Sequence, residues 1–167
     1  IHLAGEDVTA LPVPARARRG LSRSYQKNTL FDGLSVADNL ALAAAVTTGN
    51  AMALRRDSLT QPEVREIVAE VAHQVNLLPY LDARVSEISY GVRRQLEVGV
   101  ALATRPLVLL MDEPTSGVGP EMSKGFHDLL NNLPRDLTLL IIVHDMDLAF
   151  DVADTITVLN YGAVVFD

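Results

Sequence analysis

Three short segments in the second half of the chain have the pattern of buried β-strands. They are continuously apolar or β-branched and carry no charge: residues 107–111 (LVLLM), 138–143 (TLLIIV) and 155–159 (TITVL). A strand that is covered on both faces has this pattern, because no side of it faces solvent and polar residues do not alternate with apolar ones. The pattern therefore predicts three strands inside a sheet that is covered on both sides.

Helical patterns separate these strands. Residues 120–133 begin with Pro120 and Glu121, which suit a first helical turn. Residues 145–153 begin with Asp145 and carry apolar residues at helical spacing. An alternation of strands and helices favours a parallel sheet whose connections are right-handed crossovers. The predicted fold class is α/β.

The middle of the chain has little strand character. Helical patterns cover residues 35–46, with Ser35 as a candidate cap, and residues 92–103. The clearest amphipathic pattern lies between them, at residues 62–77, where apolar side chains recur on one helical face. The sequence therefore predicts a helical block that is inserted into a sheet protein.

Length and composition fit one globular domain. The 167 residues are 49% hydrophobic and 21% charged, which is ordinary for a folded protein. Within this single domain of residues 1–167, we place the helical block at residues 34–103 and the sheet core at residues 104–167 together with residues 1–33.

Charge and residue content argue against several classes of protein. The net charge of -7 weighs against nucleic acid as a partner, since such binding requires a basic surface. The absence of cysteine excludes disulfides and thiolate metal sites, and it fits a cytoplasmic protein. No segment reaches the ~18 to 20 apolar residues of a membrane-spanning helix. The first residues do not have the pattern of a signal peptide.

Polar side chains follow two of the predicted strands. Asp112 and Glu113 come directly after residues 107–111, and His144 comes directly after residues 138–143. Ligands of open parallel sheets bind at the carboxyl ends of the strands, so we expect these three side chains at one edge. There a carboxylate can hold Mg²⁺ through water and phosphate oxygens, a second acid can orient an attacking water, and a histidine can contact a terminal phosphate. Alternatively, the acids only end the strand and cap the next helix.

A second candidate site precedes the helix of residues 92–103. Ser89, Tyr90 and Gly91 stand before it in the segment ISYGVRRQLEVGVAL, residues 88–102. The free amides of a first helical turn attract anions, and glycine lets the backbone come close to a ligand. The segment is a candidate phosphate contact, although an ordinary helix N-cap is the better explanation of this stretch taken alone.

The chain resembles the ATP-binding subunits of ABC transporters, on five motifs in the family's order. SRSYQ (residues 22–26) resembles the Q-loop, ISYGV the signature, LVLLMDEP the Walker B strand, SGVG (residues 116–119) the D-loop, and IIVHD the switch-histidine motif. The resemblance implies a P-loop NTPase-like parallel sheet core whose N-terminal part is missing, with the helical block as an α-helical subdomain.

The resemblance also implies roles for individual residues, with ATP and Mg²⁺ as cofactors. Glu113, His144 and Gln26 are expected to be catalytic, and Asp112 and Gln26 are expected to hold the metal. The expected nucleotide contacts are Ser89, Tyr90, Gly91, Gln26 and His144. In this family two ATP-binding subunits, identical or different, sandwich the nucleotides, so the signature residues are expected to face the partner's phosphates.

Two segments resemble the subfamily that imports branched-chain amino acids. They are RRGLSRSYQKNTLFDGLSVADNL (residues 18–40) and VHDMDLAFDVADTITVLNYG (residues 143–162), and the tyrosine of the signature agrees with them. Importers of urea and other amides share much of this pattern. The subfamily implies docking of residues 31–39 on a membrane permease, at the inner face of the cell membrane.

The sequence departs from the family at its phosphate-binding loop, G-x-x-x-x-G-K-[ST]. None of the ten glycines is followed by lysine. Val92 and Gly119 also replace the usual glutamine and aspartate. We therefore expect a fragment of a transport ATPase that is inactive by itself and that, with a sheet edge exposed, self-associates or rearranges. The alternative is a truncated, non-catalytic interaction module that keeps the permease and dimer surfaces; a soluble ABC ATPase of DNA repair or translation fits the acidic charge less well.

Overall fold

The computed structural model describes residues 1–24, 30–48, 61–115 and 120–166. In chain order the elements are β1 (His2–Leu3), β2 (Glu6–Asp7), α1 (Val13–Arg18), β3 (Leu21–Arg23), α2 (Val36–Thr47), α3 (Pro62–Gln74), α4 (Tyr90–Leu102), β4 (Val108–Asp112), α5 (Pro120–Asn131), β5 (Thr138–Ile142), α6 (Met146–Val152), β6 (Val158–Asn160) and β7 (Ala163–Phe166). Among these described residues, none of the helices combines the length and the apolarity needed to cross a bilayer.

Strands β3, β4 and β5 form a three-stranded parallel sheet in the order β3-β4-β5. Every residue of β4 pairs with one of β5, from Val108 with Thr138 to Asp112 with Ile142. Leu109 and Met111 of β4 are buried in the core. The strands predicted at residues 107–111 and 138–143 are confirmed, and so is their parallel arrangement. The pattern did not predict β3, because a strand of three residues (LSR) is too short and too polar to show a periodicity.

The prediction that all three strands are buried on both faces is wrong for β5, and it is wrong for residues 155–159, where Val158 and Leu159 are also exposed. In β5, Leu140 and Ile142 are 60% and 61% exposed. Leu139 and Ile141, on the opposite face, pack against the core. The reason is that no element within the described ranges covers the outer face of this strand.

The segment predicted as a parallel strand at residues 155–159 has a different partner. The strand begins at Val158, and it pairs antiparallel with β7 in a separate two-stranded sheet. Tyr161 and Gly162 both have positive φ, 47° and 80°. Two such residues form the tight turn that joins neighbouring antiparallel strands, so the local hairpin decides the pairing.

The helical block packs around one apolar core. The three predicted helices are present as α2, α3 and α4, and their buried faces belong to a single cluster with the core side of the sheet. Ser35 caps α2 as predicted, since its hydroxyl accepts the amide hydrogen of Asp38 at 3.0 Å. Gly99 of α4 allows a close helix contact, because a Cβ there would lie 3.1 Å from Leu40 Cδ2. The boundaries of the helical subdomain, residues 34–103, stay a prediction.

Two arginine side chains, one in α1 and one directly after it, hold the N-terminal arm (residues 1–9) in place. Arg16 donates hydrogen bonds to the carbonyl oxygens of Val8 (3.0 Å) and Thr9 (2.6 Å). Arg19 donates two hydrogen bonds to the carboxylate of Glu6, at 2.8 and 3.1 Å. These bonds, together with the positive charge of Arg19, hold the pKa of Glu6 below its usual value. The two arginines therefore fix the arm against α1.

We expect Gly20→Ala to destabilise the protein by roughly 1 to 3 kcal/mol. Gly20 has a φ of +90°, and an added Cβ would lie 2.8 Å from Leu107 Cγ. Its carbonyl oxygen also accepts hydrogen bonds from the amides of Leu107 and Val108, where β4 begins. The matched control is Gly33→Ala, where a Cβ has no neighbour within 4 Å. Urea unfolding measures both, and equal effects would contradict the steric argument.

Candidate functional site

The predicted acid pair and histidine meet at the carboxyl edge of the sheet. The amide of Glu113 donates to the carbonyl oxygen of Ile142 at 2.8 Å, which extends the β4–β5 pairing by one residue. His144 lies two residues beyond this bond, and its Nδ1 is 3.5 Å from Glu113 Oε1. The predicted placement of Asp112, Glu113 and His144 at one edge is therefore confirmed. Their catalytic and metal-binding roles stay predictions.

Glu113, the first residue after β4, has an unusual backbone conformation. Glu113 has a φ of +45°, in the left-handed region that residues other than glycine seldom adopt. Such strain persists only where surrounding contacts hold it, and it is concentrated at functional sites. The side chain is 40% exposed and that of His144 is 74% exposed, so both remain open to a ligand.

Asp112 lies one residue earlier, at the end of β4. Its Oδ2 is 3.4 Å from Nη2 of Arg23, the last residue of β3, and the carboxylate is 29% exposed. Among the described residues, no three histidine, aspartate or glutamate side chains cluster closely enough to hold a metal ion. Mg²⁺ in phosphate sites uses one or two carboxylates together with water and phosphate oxygens, and Asp112 fits that smaller role.

The second candidate site lies on α4 rather than on the sheet. Ser89 is the N-cap of this helix, and its hydroxyl accepts the amide hydrogen of Val92 at 3.4 Å. The interpretation as a helix cap is therefore confirmed. Ser89 and Tyr90 are exposed, and the positive end of the helix dipole is located here. A phosphate contact by Ser89, Tyr90 and Gly91 stays a prediction.

Two of the predicted functional segments fall outside the described residues. They are Gln26, assigned to the Q-loop, and the D-loop segment at residues 116–119. Their predicted roles therefore stay as the sequence gives them.

An arginine that was not predicted as a functional residue contacts the backbone of Glu113 and Pro114. Arg94 of α4 is buried, and it donates hydrogen bonds to the carbonyl oxygens of Pro114 and Glu113. The signal was present but weak: Arg94 and Glu97 are opposite charges three residues apart, on a helix whose inner face is otherwise apolar.

Comparisons with known proteins agree on one family. A family model described as "ABC transporter" matches residues 1–116. The branched-chain amino acid transport ATP-binding protein BraF of Pseudomonas aeruginosa is 32% identical over 100% of this chain and 68% of its own length. The methionine import ATP-binding protein MetN of Thermobifida fusca is 33% identical over 99% of this chain, which spans only 50% of MetN.

A solved structure supports the fold. The ATP-binding cassette MJ1267 of an ABC transporter superposes with a TM-score of 0.82 over 98% of this chain and 66% of its own. At 24% sequence identity, this likeness supports the fold alone. The P-loop NTPase-like fold class predicted from the sequence is therefore confirmed.

We expect Asp145→Ala to lower the free energy of unfolding by roughly 0.5 to 2 kcal/mol. Asp145 follows His144 and caps α6, because its Oδ1 accepts the amide hydrogens of Asp147 (3.0 Å) and Leu148 (3.3 Å). Asp145→Asn is the matched control, since asparagine caps helices as well as aspartate does. Thermal or urea unfolding measures the difference. A loss of equal size in both variants would mean that charge, rather than capping, stabilises this helix.

Proposed function

This chain belongs to the ABC transporter family, and from that premise we propose that it is part of an ATP-hydrolysing subunit that powers an importer. The observation that carries the proposal is the contact between Glu113 and His144, 3.5 Å apart at the carboxyl edge of a parallel sheet. An acid beside an imidazole at such an edge suits the transfer of a phosphoryl group to water.

Each residue of this edge has a proposed task. Glu113 orients the attacking water and accepts its proton. His144 donates a hydrogen bond to the terminal phosphate, where negative charge develops. Asp112 binds Mg²⁺, which in such reactions neutralises phosphate charge. Gln26 is proposed to sense the metal and the water.

The N-terminus of α4 has a proposed task in a dimer of such subunits. Ser89, Tyr90 and Gly91 face the nucleotide that a second ATP-binding subunit holds, with the free amides of the helix directed at its phosphates. Exposure of Ser89 and Tyr90 supports this proposal. The two subunits are the same chain or related chains.

The proposed cargo is a branched-chain amino acid or a related small amide. The name of BraF supports this class, whereas MetN, of similar identity, is named for methionine import. The helical block of residues 34–103 acts as the family's helical subdomain, and residues 31–39 dock on a membrane permease. Phe31 is 58% exposed, and the loop that presents it is fixed by hydrogen bonds between its backbone and the side chain of buried Asn39. The protein would then lie in the cytoplasm, on the inner face of the membrane.

A second candidate function is a non-catalytic interaction module. The sequence feature that favours it is the absence of G-x-x-x-x-G-K-[ST] from residues 1–167. A module of this kind keeps the permease and dimer surfaces without turnover. The codons upstream of Ile1 separate the two: a phosphate-binding loop encoded there supports the ATPase, and its absence supports the module.

In a subunit that joins residues 1–167 to a phosphate-binding loop, we expect Glu113→Gln to reduce kcat by about 100-fold or more, because the amide cannot accept a proton. Binding of ATP should change little. The control is Glu66→Gln on the exposed face of α3, with kcat within about twofold of the wild type. Phosphate release under saturating ATP measures kcat, and a Glu113→Gln enzyme as active as the control would refute the assigned base.

Residues 1–167 alone are expected to show no specific ATP hydrolysis. Phosphoryl transfer depends on groups that position and neutralise the phosphates, and the lysine and amide cradle that do so are not in this sequence. The measurement compares phosphate release by residues 1–167 with release by their Glu113→Gln variant. A turnover that this substitution removes would contradict the expectation.

A further inference from the structure

Arg94 makes three polar contacts from the interior of α4. Its Nε donates to the carbonyl oxygen of Pro114 at 3.0 Å, and its Nη2 donates to that of Glu113 at 3.4 Å. Its Nη1 donates to the carboxylate of Glu97, one helical turn further on. Arg94 and Glu97 are each 9% exposed. One guanidinium therefore joins two elements, the helix and the segment that follows β4.

These contacts act on the most strained part of the edge. Glu113 has a φ of +45°, and a non-glycine residue keeps that conformation only where neighbouring groups hold it. On one side its amide donates to Ile142 of β5. On the other side its carbonyl oxygen, and the next one, accept hydrogen bonds from Arg94. Hydrogen bonds therefore hold both the amide and the carbonyl group of Glu113.

The chemistry of the pair suits this task. Guanidinium is planar and its donors point in fixed directions, so one side chain can bind two neighbouring carbonyl oxygens, which an ammonium group does poorly. A buried cation needs a counter-charge, and Glu97 supplies it from the same helix. The pair therefore adds no net charge beside the acids.

We propose that Arg94, with Glu97 as its counter-ion, is a positioning residue that holds the backbone of Glu113 and Pro114 so that the Glu113 carboxylate faces His144. Arg94 does not touch the reacting atoms and acts through Glu113. The catalytic consequence rests on the proposed function, whereas the local structural role does not.

The first experiment measures amide hydrogen exchange by NMR in residues 1–167. In Arg94→Met, loss of overall stability should accelerate exchange throughout the protein, and exchange at the Glu113 amide should accelerate about tenfold or more beyond the change at amides of α2, because the additional opening is local. Arg93→Met is the matched control: the neighbouring arginine pairs with Asp32 at 3.0 Å instead. An unchanged Glu113 amide, or an equal acceleration at α2, would overturn the positioning role.

The second experiment measures ATP turnover in a subunit that joins residues 1–167 to a phosphate-binding loop. Arg94→Met should lower kcat by about 100-fold with the KM for ATP nearly constant, because a small misplacement of a catalytic group is costly. Arg93→Met should keep kcat within about twofold of the wild type. Equal kcat values for these two variants would overturn the catalytic consequence.

Arg94→Lys covers the case in which Arg94→Met does not fold. Lysine keeps the charge next to Glu97 but cannot bridge both carbonyl oxygens. The exchange rate of the Glu113 amide and the kcat of this variant should therefore lie between the wild-type values and those expected for Arg94→Met. Wild-type values in a folded Arg94→Lys variant would overturn the proposal. A wild-type subunit without any ATP turnover would instead refute the proposed function and leave the exchange result to decide the role of Arg94.

Discussion

The parallel register between β4 and β5 is the constraint on which the rest of the structure depends. The ladder pairs Asp112 with Ile142, and one further hydrogen bond joins Glu113 to the same residue. Because side chains alternate along a strand, a slip by one residue would turn the buried Leu109 and Met111 to the opposite face. Burial of these two side chains therefore fixes the register, and the register brings Glu113 to His144.

The helical block contributes to the same edge from outside the sheet. Close packing of α4 against its neighbours, with Gly99 near Leu40, sets the position of that helix. Arg94 links α4 to the sheet edge, because it donates hydrogen bonds to the carbonyl oxygens of Glu113 and Pro114. The geometry of the edge is thus the joint result of an apolar core, a backbone ladder and one buried cation.

The sequence predicted those parts of the fold that produce a regular pattern of apolar and polar residues. Apolar runs predicted β4 and β5, and strand ends placed the acids near His144. The apolar pattern did not predict the pairing of β6, because that pairing follows from the turn at Tyr161 and Gly162, which joins β6 to β7 as a hairpin outside the parallel sheet. The ion pair of Arg94 with Glu97 left a weak signal in the sequence. The other two contacts of Arg94 could not be predicted, because their acceptors are backbone carbonyl oxygens, which every residue has and which leave no pattern in a sequence.

The ion pair inside α4 restricts how this sequence can diverge. Removing one member of a buried ion pair leaves an uncompensated charge and typically costs about 3 to 5 kcal/mol, whereas replacing both with apolar residues is often neutral. Divergent descendants that lose Arg94 before Glu97 would pass through an unstable intermediate, and so would those that lose Glu97 first. Positions 94 and 97 should therefore covary among relatives, as a unit under joint selection.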